Sequence, residues 1–593
     1  MRFVKFLAKA VVVIFALVGV LFVLGILAIG AAWRSLPGVA VAPPPASMVL
    51  TFDLADGVSE AATDSPFSFA GLGGKSVTML DAVRGIEAAS KDSRVKVLLL
   101  HLGSGDLDIA RAQELGDAVS EFRKSGKFVL AFAESFGEGG NPGSHYLLAT
   151  AANEIWLQPS GDLELTGAAV QSPFLHSLFD KLGIVARMDR REEYKGALDS
   201  LLADSMTPPV RANMQALVDS WVDQMAAGIA RNRHLDPKAA RQLIDQGPYG
   251  APAAKTAGLV DATRYWDEAV TAAKEHAGGD SKTYALADYI GNLPAAPKGT
   301  PRIAVIYGVG DVVLGKGDSN PLVGSLNMGS KTISDALHKA VDDSDIAGIV
   351  LRINSPGGSY VAADAIWREV KRAKDKGKPL VVSMGGVAAS GGYFVAAPAA
   401  AIVAEPGTIT GSIGVFGGKF LLKDLLGKIG VTLDGVSAGA NALMESTVTD
   451  YTPDQWARVE ADLDRIYADF LDKVGQGRKM SKQAVEAVAK GQVWSGAAAK
   501  QNGLVDQLGG LMTAVDLLRP LAKIAPDAQV SVEPYPSTTD KLQAAIARLM
   551  GGGGDAETSA SLARLLRVAG PLLTALDLAT RPAADERLRA PLP

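Results

Sequence analysis

The sequence predicts an α/β protein made of two tandem copies of one repeat, carried behind a single membrane-spanning helix. Three observations carry that reading: an uncharged apolar run near the N-terminus, ordered self-matches at a nearly constant offset, and alternating strand and helix patterns in each copy. The chain has 593 residues, which at about 150 residues per domain implies more than one domain. Its 48% hydrophobic and 21% charged residues are a globular composition with ample core material. A net charge of −5 offers no basic footprint for nucleic acid. The absence of cysteine excludes a disulfide framework, a thiol nucleophile, a zinc-thiolate site and a cysteine-ligated cluster.

The apolar run extends from Ala10 to Trp33, 24 residues without a charge. At 1.5 Å per residue it spans roughly 36 Å, against about 30 Å of bilayer hydrocarbon. Arg2, Lys5 and Lys9 precede it, so the N-terminus is expected in the cytoplasm and the body outside. The run is longer than a signal-peptide core, and Arg34-Ser35-Leu36-Pro37 is a poor cleavage context. An uncleaved anchor is expected, followed by the short stiff spacer Pro43-Pro44-Pro45.

The body then repeats itself. Tyr146 and Tyr393, Pro159 and Pro406, Gly167 and Gly414, Lys181 and Lys428, and Gly183 and Gly430 all stand 247 apart. Gly258-Leu259-Val260-Asp261 matches Gly503-Leu504-Val505-Asp506 at 245, and Gly126-Lys127 matches Gly377-Lys378 at 251. Short loop insertions explain the drift. In the second copy, strands are expected at Arg302–Tyr307, Ile349–Ile353, Pro379–Met384 and Ala401–Ala404. Helices are expected at Ala362–Lys374 and near Pro453–Gly475. Strand–helix–strand alternation implies right-handed crossovers and a largely parallel sheet. The expected divisions are 1–45 for N-terminus, anchor and spacer, 46–295 and 296–540 for the two repeats, and 541–593 for a tail. In that tail Gly551–Gly554 breaks the chain before an amphipathic pattern at Ser559–Leu578.

Two Gly-rich segments offer chemistry. Ser390 lies in Ser383–Tyr393, followed by glycines and a helical pattern. Small neighbours leave room for a substrate backbone beside its hydroxyl, and a helix start favours developing negative charge. The same residues also fit a serine N-cap in a Gly-rich turn. Asn354-Ser355-Pro356-Gly357-Gly358 follows an expected strand, and paired glycines let backbone N–H groups approach an oxyanion. It also fits an ordinary β-turn. Of six histidines only His338 lies in the second copy, and none has triad context, so a lysine with a burial-lowered pKa is the other candidate base. Two motif matches are decoys. Gly435-Val436-Ser437-Ala438-Gly439 fits G-x-S-x-G but lacks a following helix and a downstream histidine. Gly74-Lys75-Ser76 ends like a P-loop, but Phe69 replaces its first glycine.

Four segments together resemble the signal peptide peptidase SppA (protease IV) family in its long, duplicated form. They are Ser355-Pro356-Gly357-Gly358, Ala388-Ala389-Ser390-Gly391-Gly392-Tyr393, Thr410-Gly411-Ser412-Ile413-Gly414 and Tyr194-Lys195. The resemblance implies a ClpP/crotonase-like fold, with tandem duplicated ββα-superhelical domains behind the N-terminal transmembrane helix. It implies Ser390 as nucleophile, Lys195 as general base, Ser412 as the residue orienting the lysine, and Gly357 and Gly358 as oxyanion-hole donors. It further implies a serine endopeptidase of the inner membrane, its body on the periplasmic side, degrading remnant signal peptides as a homotetramer with no metal or cofactor. A crotonase-like acyl-CoA enzyme and a non-catalytic membrane scaffold are the rival readings. Neither explains the Ser390/Lys195 pair.

The repeat offers a check on those roles. At the offsets above, Ser390 projects onto Gly143, Ser412 onto Leu165, and Gly357-Gly358 onto Asp106-Leu107. Lys195 projects onto Ala442. Each copy lacks what the other keeps, as expected of one site composed from both. Taken alone, Lys195 reads as part of a solvated charge run, beside Arg190, Arg191, Glu192 and Glu193.

Overall fold

A computed structural model describes residues 43–55, 57–61, 77–138, 141–317 and 326–536. The expected anchor at Ala10–Trp33, the Gly74-Lys75-Ser76 segment and the 541–593 tail lie outside the described residues. Among the described residues no helix is long and apolar enough to cross a membrane.

Each repeat is built on its own sheet. The first sheet has six strands, in the order Ala262–Thr263, Glu154–Leu157, Phe128–Ala133, Val95–Leu102, Met48–Asp53 and Lys282–Ala285, all parallel. The second has eight, with Leu380–Ala389, Ile346–Ser355 and Arg302–Val309 as its parallel centre. The central strands are near-continuous apolar runs because helices cover both faces. Every strand expected in the second copy is present, and the expected helices appear as Tyr360–Asp375 and Pro453–Arg478. Both sheets belong to one compact unit that ends at Glu533.

The duplication is written in hydrogen bonds as well as in residues. The buried Tyr146 hydroxyl donates to Leu259 O at 2.7 Å, and Tyr393 donates to Leu504 O at 2.9 Å. Ile155 N donates to Asp261 Oδ2, and Ile402 N to Asp506 Oδ2. Lys127 Nζ donates to Ala89 O and Asp92 O, and Lys378 Nζ to Asp343 O and Ile346 O. The donors are matched residues of the two copies, and the backbone groups they satisfy are equivalent except for the second lysine acceptor, Ala89 O in one copy and Ile346 O in the other.

Polar groups knit the repeats together. The helix Pro208–Arg233 of the first repeat runs along an edge of the second. There the Asn213 amide exchanges two bonds with Val493, while Trp221 Nε1 donates to Gly407 O. Arg352, only 1% exposed, meets Glu60 through Nε at 2.9 Å and Glu114 through Nη2 at 2.7 Å, and donates to Ser383 Oγ from Nη1. Burial pushes the Glu114 carboxyl up, while the two carboxylates hold Arg352 charged. Removing one partner of such a cluster strands the rest without water. Arg352→Met is therefore expected to lose about 3–5 kcal/mol in urea unfolding. Adding Glu60→Gln and Glu114→Gln should restore part of that loss.

Candidate active site

A strand exchanged between the repeats builds the site. Val185–Arg190 of the first repeat pairs antiparallel with Phe416–Leu421 of the second, from Phe416↔Arg190 to Leu421↔Val185. The chain then turns into the second repeat, where Tyr194 N donates to Lys490 O. Lys195 follows. Gly491, at φ +78, leaves the space: a Cβ there would stand 2.5 Å from Lys195 N. From below, the Arg190 guanidinium donates to Lys195 O at 3.1 Å and to Asp199 Oδ1. Asp199 Oδ2 accepts from both the Thr207 N–H and hydroxyl. The lysine is thus held by its backbone before its side chain makes any contact.

That side chain is 4% exposed. Its Nζ donates to Ser390 Oγ at 3.0 Å, Ser412 Oγ at 2.9 Å and Ser412 O at 2.8 Å. These acceptors are all uncharged. Burial lowers the Lys195 pKa to about 7, because an ammonium out of water without a carboxylate is poorly stabilised.

Ser390 joins the strand Leu380–Ala389 to the helix Gly391–Ala396 at φ 51, ψ −119, a conformation a non-glycine residue rarely holds. Its hydroxyl makes no N-cap bond, so the capping alternative is not what the structure contains. The turn is fixed by Ser390 N donating to Gly411 O at 2.9 Å and Phe394 N donating to Ser390 O. Ser412 also sits at φ 51, its N–H donating to Gln492 O. Strained non-glycine residues cluster where surrounding structure over-determines them, as at functional sites.

The Gly357-Gly358 segment lies directly against this turn. A Cβ on Gly357 would come within 2.7 Å of both Ser390 Cβ and Gly391 N. Gly357 and Gly358 have φ +109 and +149. Gly357 O accepts from Val312 N, and Ser359 N donates to Val312 O, so this bridge leaves the Gly358 N–H unused. The Gly357 N–H donates to Ser355 Oγ at 3.2 Å, a partner the sequence pattern does not reveal. A cavity of about 1510 Å³ opens over Ser390, lined by residues of both repeats, among them Met214, Val312, Tyr360, Phe394 and Phe470.

All five expected site residues thus meet at one place. Arg190, which holds the lysine, was hidden in what reads as a solvated charge run, and Asp199, four residues past the lysine, carried no motif signal. Gly435–Gly439 lies in an exposed segment with no helix after it, as expected of a decoy.

The family model for peptidase family S49 matches the chain twice, at residues 121–280 and 372–525. The chain belongs to peptidase family S49. A second model, for Clp protease, matches residues 327–404, from the strand Asn327–Gly329 to the strand Ala401–Ala404 of the second repeat. Protease 4 of Salmonella typhi is 34% identical over 462 residues, 75% of this chain and 72% of that protein. Protease 4 of Haemophilus influenzae is 32% identical over 474 residues, 77% of this chain and 75% of that one. The chloroplastic serine protease SPPA of Arabidopsis thaliana is 32% identical over 75% of this chain and 66% of its own length. This S49 chain is a serine peptidase with a duplicated ClpP-like α/β fold. The acyl-CoA and scaffold readings fall with that membership.

The packing of Gly357 against the nucleophile turn sets a steric test. Gly357→Ala is expected to lower kcat/KM at least about 100-fold, an oxyanion-hole-sized loss. Peptide hydrolysis measures it, with circular dichroism reporting that the fold is retained.

Proposed function

We propose that this S49 peptidase works through a Ser390–Lys195 dyad assembled from both repeats. The observation that carries the reading is the buried Lys195 amine, within 3.0 Å of Ser390 Oγ and facing only uncharged acceptors. Neutral Lys195 takes the Ser390 proton as Oγ attacks a peptide carbonyl. Ser412 Oγ and O orient the amine toward Ser390. The oxyanion develops beside the Gly357-Gly358 backbone, where the Gly358 N–H is the donor left unused by the bridge to Val312. The lysine ammonium then protonates the leaving amine. Water, deprotonated by Lys195, releases the acyl group from Ser390.

The apolar lining of the cavity suits an extended apolar peptide, and remnant signal peptides are the proposed substrates. The Ala10–Trp33 segment is the proposed anchor in the inner membrane, with residues 46–295 and 296–540 as two repeats on the periplasmic side. The proposed assembly is a homotetramer.

The lysine makes the chemistry pH-dependent. At pH 7 a group with pKa about 7 is roughly half neutral, whereas an ordinary lysine is neutral in about four molecules per ten thousand. kcat/KM is expected to rise nearly tenfold per pH unit below about 7 and to level off above 8. Ser390→Ala and Lys195→Ala should each lower it by at least about 10⁴-fold while staying folded. A Lys195→Ala enzyme that keeps its activity and its pH profile would remove lysine from the mechanism.

The same burial makes stability pH-dependent. The unfolded lysine binds its proton up to about pH 10.4, whereas the folded one releases it near 7. Between those values the unfolded state binds more protons, so this group's contribution to stability rises with pH. Urea unfolding of the parent and Lys195→Met from pH 7.5 to 9.5 should diverge by about 1.4 kcal/mol per pH unit, the parent gaining.

A further inference from the structure

The strand Ile346–Ser355 parts from its neighbour where the site begins. Its register against Leu380–Ala389 runs to Ile353↔Met384 and resumes at Ser355↔Ala388. Two steps on one strand therefore face four on the other, and the ladder is broken at Asn354. Two side chains fill the break. Asn354 Oδ1 accepts from Val387 N at 3.0 Å. Ser355 Oγ accepts from Gly357 N at 3.2 Å. Ser355 is fully buried, so water offers the Gly357 N–H no substitute there. Nor is Ser355 a helix cap. That role belongs to Ser359, whose hydroxyl accepts from Ala362 N.

The Gly357-Gly358 strap then passes in front of the nucleophile turn. A Cβ on Gly391, the residue after Ser390, would stand 3.2 Å from Gly358 N. The direction of that N–H is set by two rigid peptide planes that meet at Gly357. In the plane after Gly357, the Gly357 carbonyl accepts from Val312 N at 2.8 Å, and the Gly358 N–H lies trans to it, directed away from Val312. In the plane before Gly357, the N–H is held by Ser355. Gly357, at φ +109, is the hinge between them, and glycine restricts rotation less than any other residue. Such a hinge keeps one geometry only when both planes are pinned. Val312 is the downstream pin and Ser355 the upstream one.

The first repeat supplies an internal control. At the offset of 251, Asn354-Ser355 projects onto Gly103-Ser104. Ser104 is exposed. The turn there is held by the His145 imidazole, which accepts from Gly103 N at 3.4 Å and donates to Gly105 O at 3.1 Å. His145 projects onto Gly392 at 247, two residues past Ser390. The second repeat has no room for that solution, since even a Cβ on Gly392 would stand 2.9 Å from Ser355 O. The copy that keeps Ser390 holds its strap from within, by a hydroxyl two residues before the hinge. The space beside the nucleophile stays clear.

We infer that Ser355 is a positioning residue of the oxyanion hole: by holding the Gly357 N–H it fixes the strap, so that the Gly358 N–H faces the developing oxyanion before reaction starts. The inference rests on the oxyanion role proposed for Gly358 and adds the residue that sets it. Ser355 touches neither substrate nor the reacting atoms. Its contribution is preorganisation, which favours the transition state and leaves substrate binding alone. It makes no contact with the Lys195 amine, so the protonation of the base is unaffected.

The test uses the full-length enzyme, with Ser355→Ala beside Ser104→Ala. For Ser355→Ala, kcat for peptide hydrolysis is expected to fall at least about tenfold, with KM within about twofold of the parent. The pH midpoint of kcat/KM should not move. A peptide aldehyde gives a readout that a merely structural role would leave alone. Ser390 Oγ adds to its carbonyl carbon, the carbonyl oxygen becomes the oxyanion, and the serine proton passes to Lys195. Its Ki is expected to rise by the factor that kcat falls. The Ki of the matching peptide alcohol, which forms no adduct, should stay constant. Ser104→Ala should equal the parent in every measurement. Ser355→Cys keeps a weak acceptor in the same place and is expected to fall between the parent and Ser355→Ala. It carries the test if the alanine variant does not fold. An unchanged kcat, a loss confined to KM, or an aldehyde Ki that does not move overturns the inference. Fluorophosphonate labelling of Ser390 in the parent separates two failures. No labelling overturns the dyad together with this inference, whereas a labelled parent equalled by Ser355→Ala overturns this inference alone.

Discussion

Everything at this site depends on keeping one lysine amine out of water. An ammonium group in a protein interior is costly unless a carboxylate shares the space. Lys195 is offered only hydroxyls and a carbonyl, uncharged acceptors that do not offset the desolvation of an ammonium. The rest of the architecture can be understood as the means of holding that arrangement. The exchanged strand brings the lysine across the repeat boundary, Gly491 opens the space for its backbone, and Arg190, itself held by Asp199, clamps its carbonyl. Charge is thus used to fix the backbone and withheld from the amine.

A composite site constrains the repeats. If the two halves slid or rotated, Lys195 would leave Ser390, so the interface must be stiff as well as stable. Hydrogen-bonded groups supply that stiffness better than apolar contact alone, because each bond specifies a direction. The Arg352 cluster, the Asn213–Val493 pair and the Trp221–Gly407 bond each join residues of different repeats. The same constraint explains why the two copies diverged in complementary ways. In the proposed dyad one lysine serves one serine, which leaves the serine position of the first copy and the lysine position of the second free to be Gly143 and Ala442. The tyrosine, aspartate and lysine bonds that shape each sheet were not free, and they remain in both.

The parts legible in the sequence were those set by local pattern. Strands such as Ile346–Ser355 are buried on both faces and show as apolar runs, and the helix Tyr360–Asp375 shows its period. Ser390 and the Gly357-Gly358 pair stand out because tight turns demand small residues nearby. Lys195 was invisible locally, since Arg190 to Glu193 look like any exposed charge run; the family resemblance singled it out, and the comparison of the copies then supported it. The Glu60–Arg352–Glu114 cluster had no such signal. Its members are 292 and 238 residues apart, and nothing in their neighbourhoods marks them as partners. The Ser355–Gly357 bond was hidden for a different reason, because it depends on where a loop folds and not on which residues it contains.

The duplication also explains why a strand-paired arm is a suitable carrier for the proposed general base. A ribbon fixes register to a single residue, because a one-residue slip reverses every side chain. Six paired positions between Val185–Arg190 and Phe416–Leu421 therefore determine where the chain stands when it reaches Lys195. A loop of the same length anchored at one end would leave the amine free to sample water, and a solvated lysine is a protonated one at neutral pH. The precision of the pairing and the neutrality of the proposed base are thus the same requirement, met at two levels of structure.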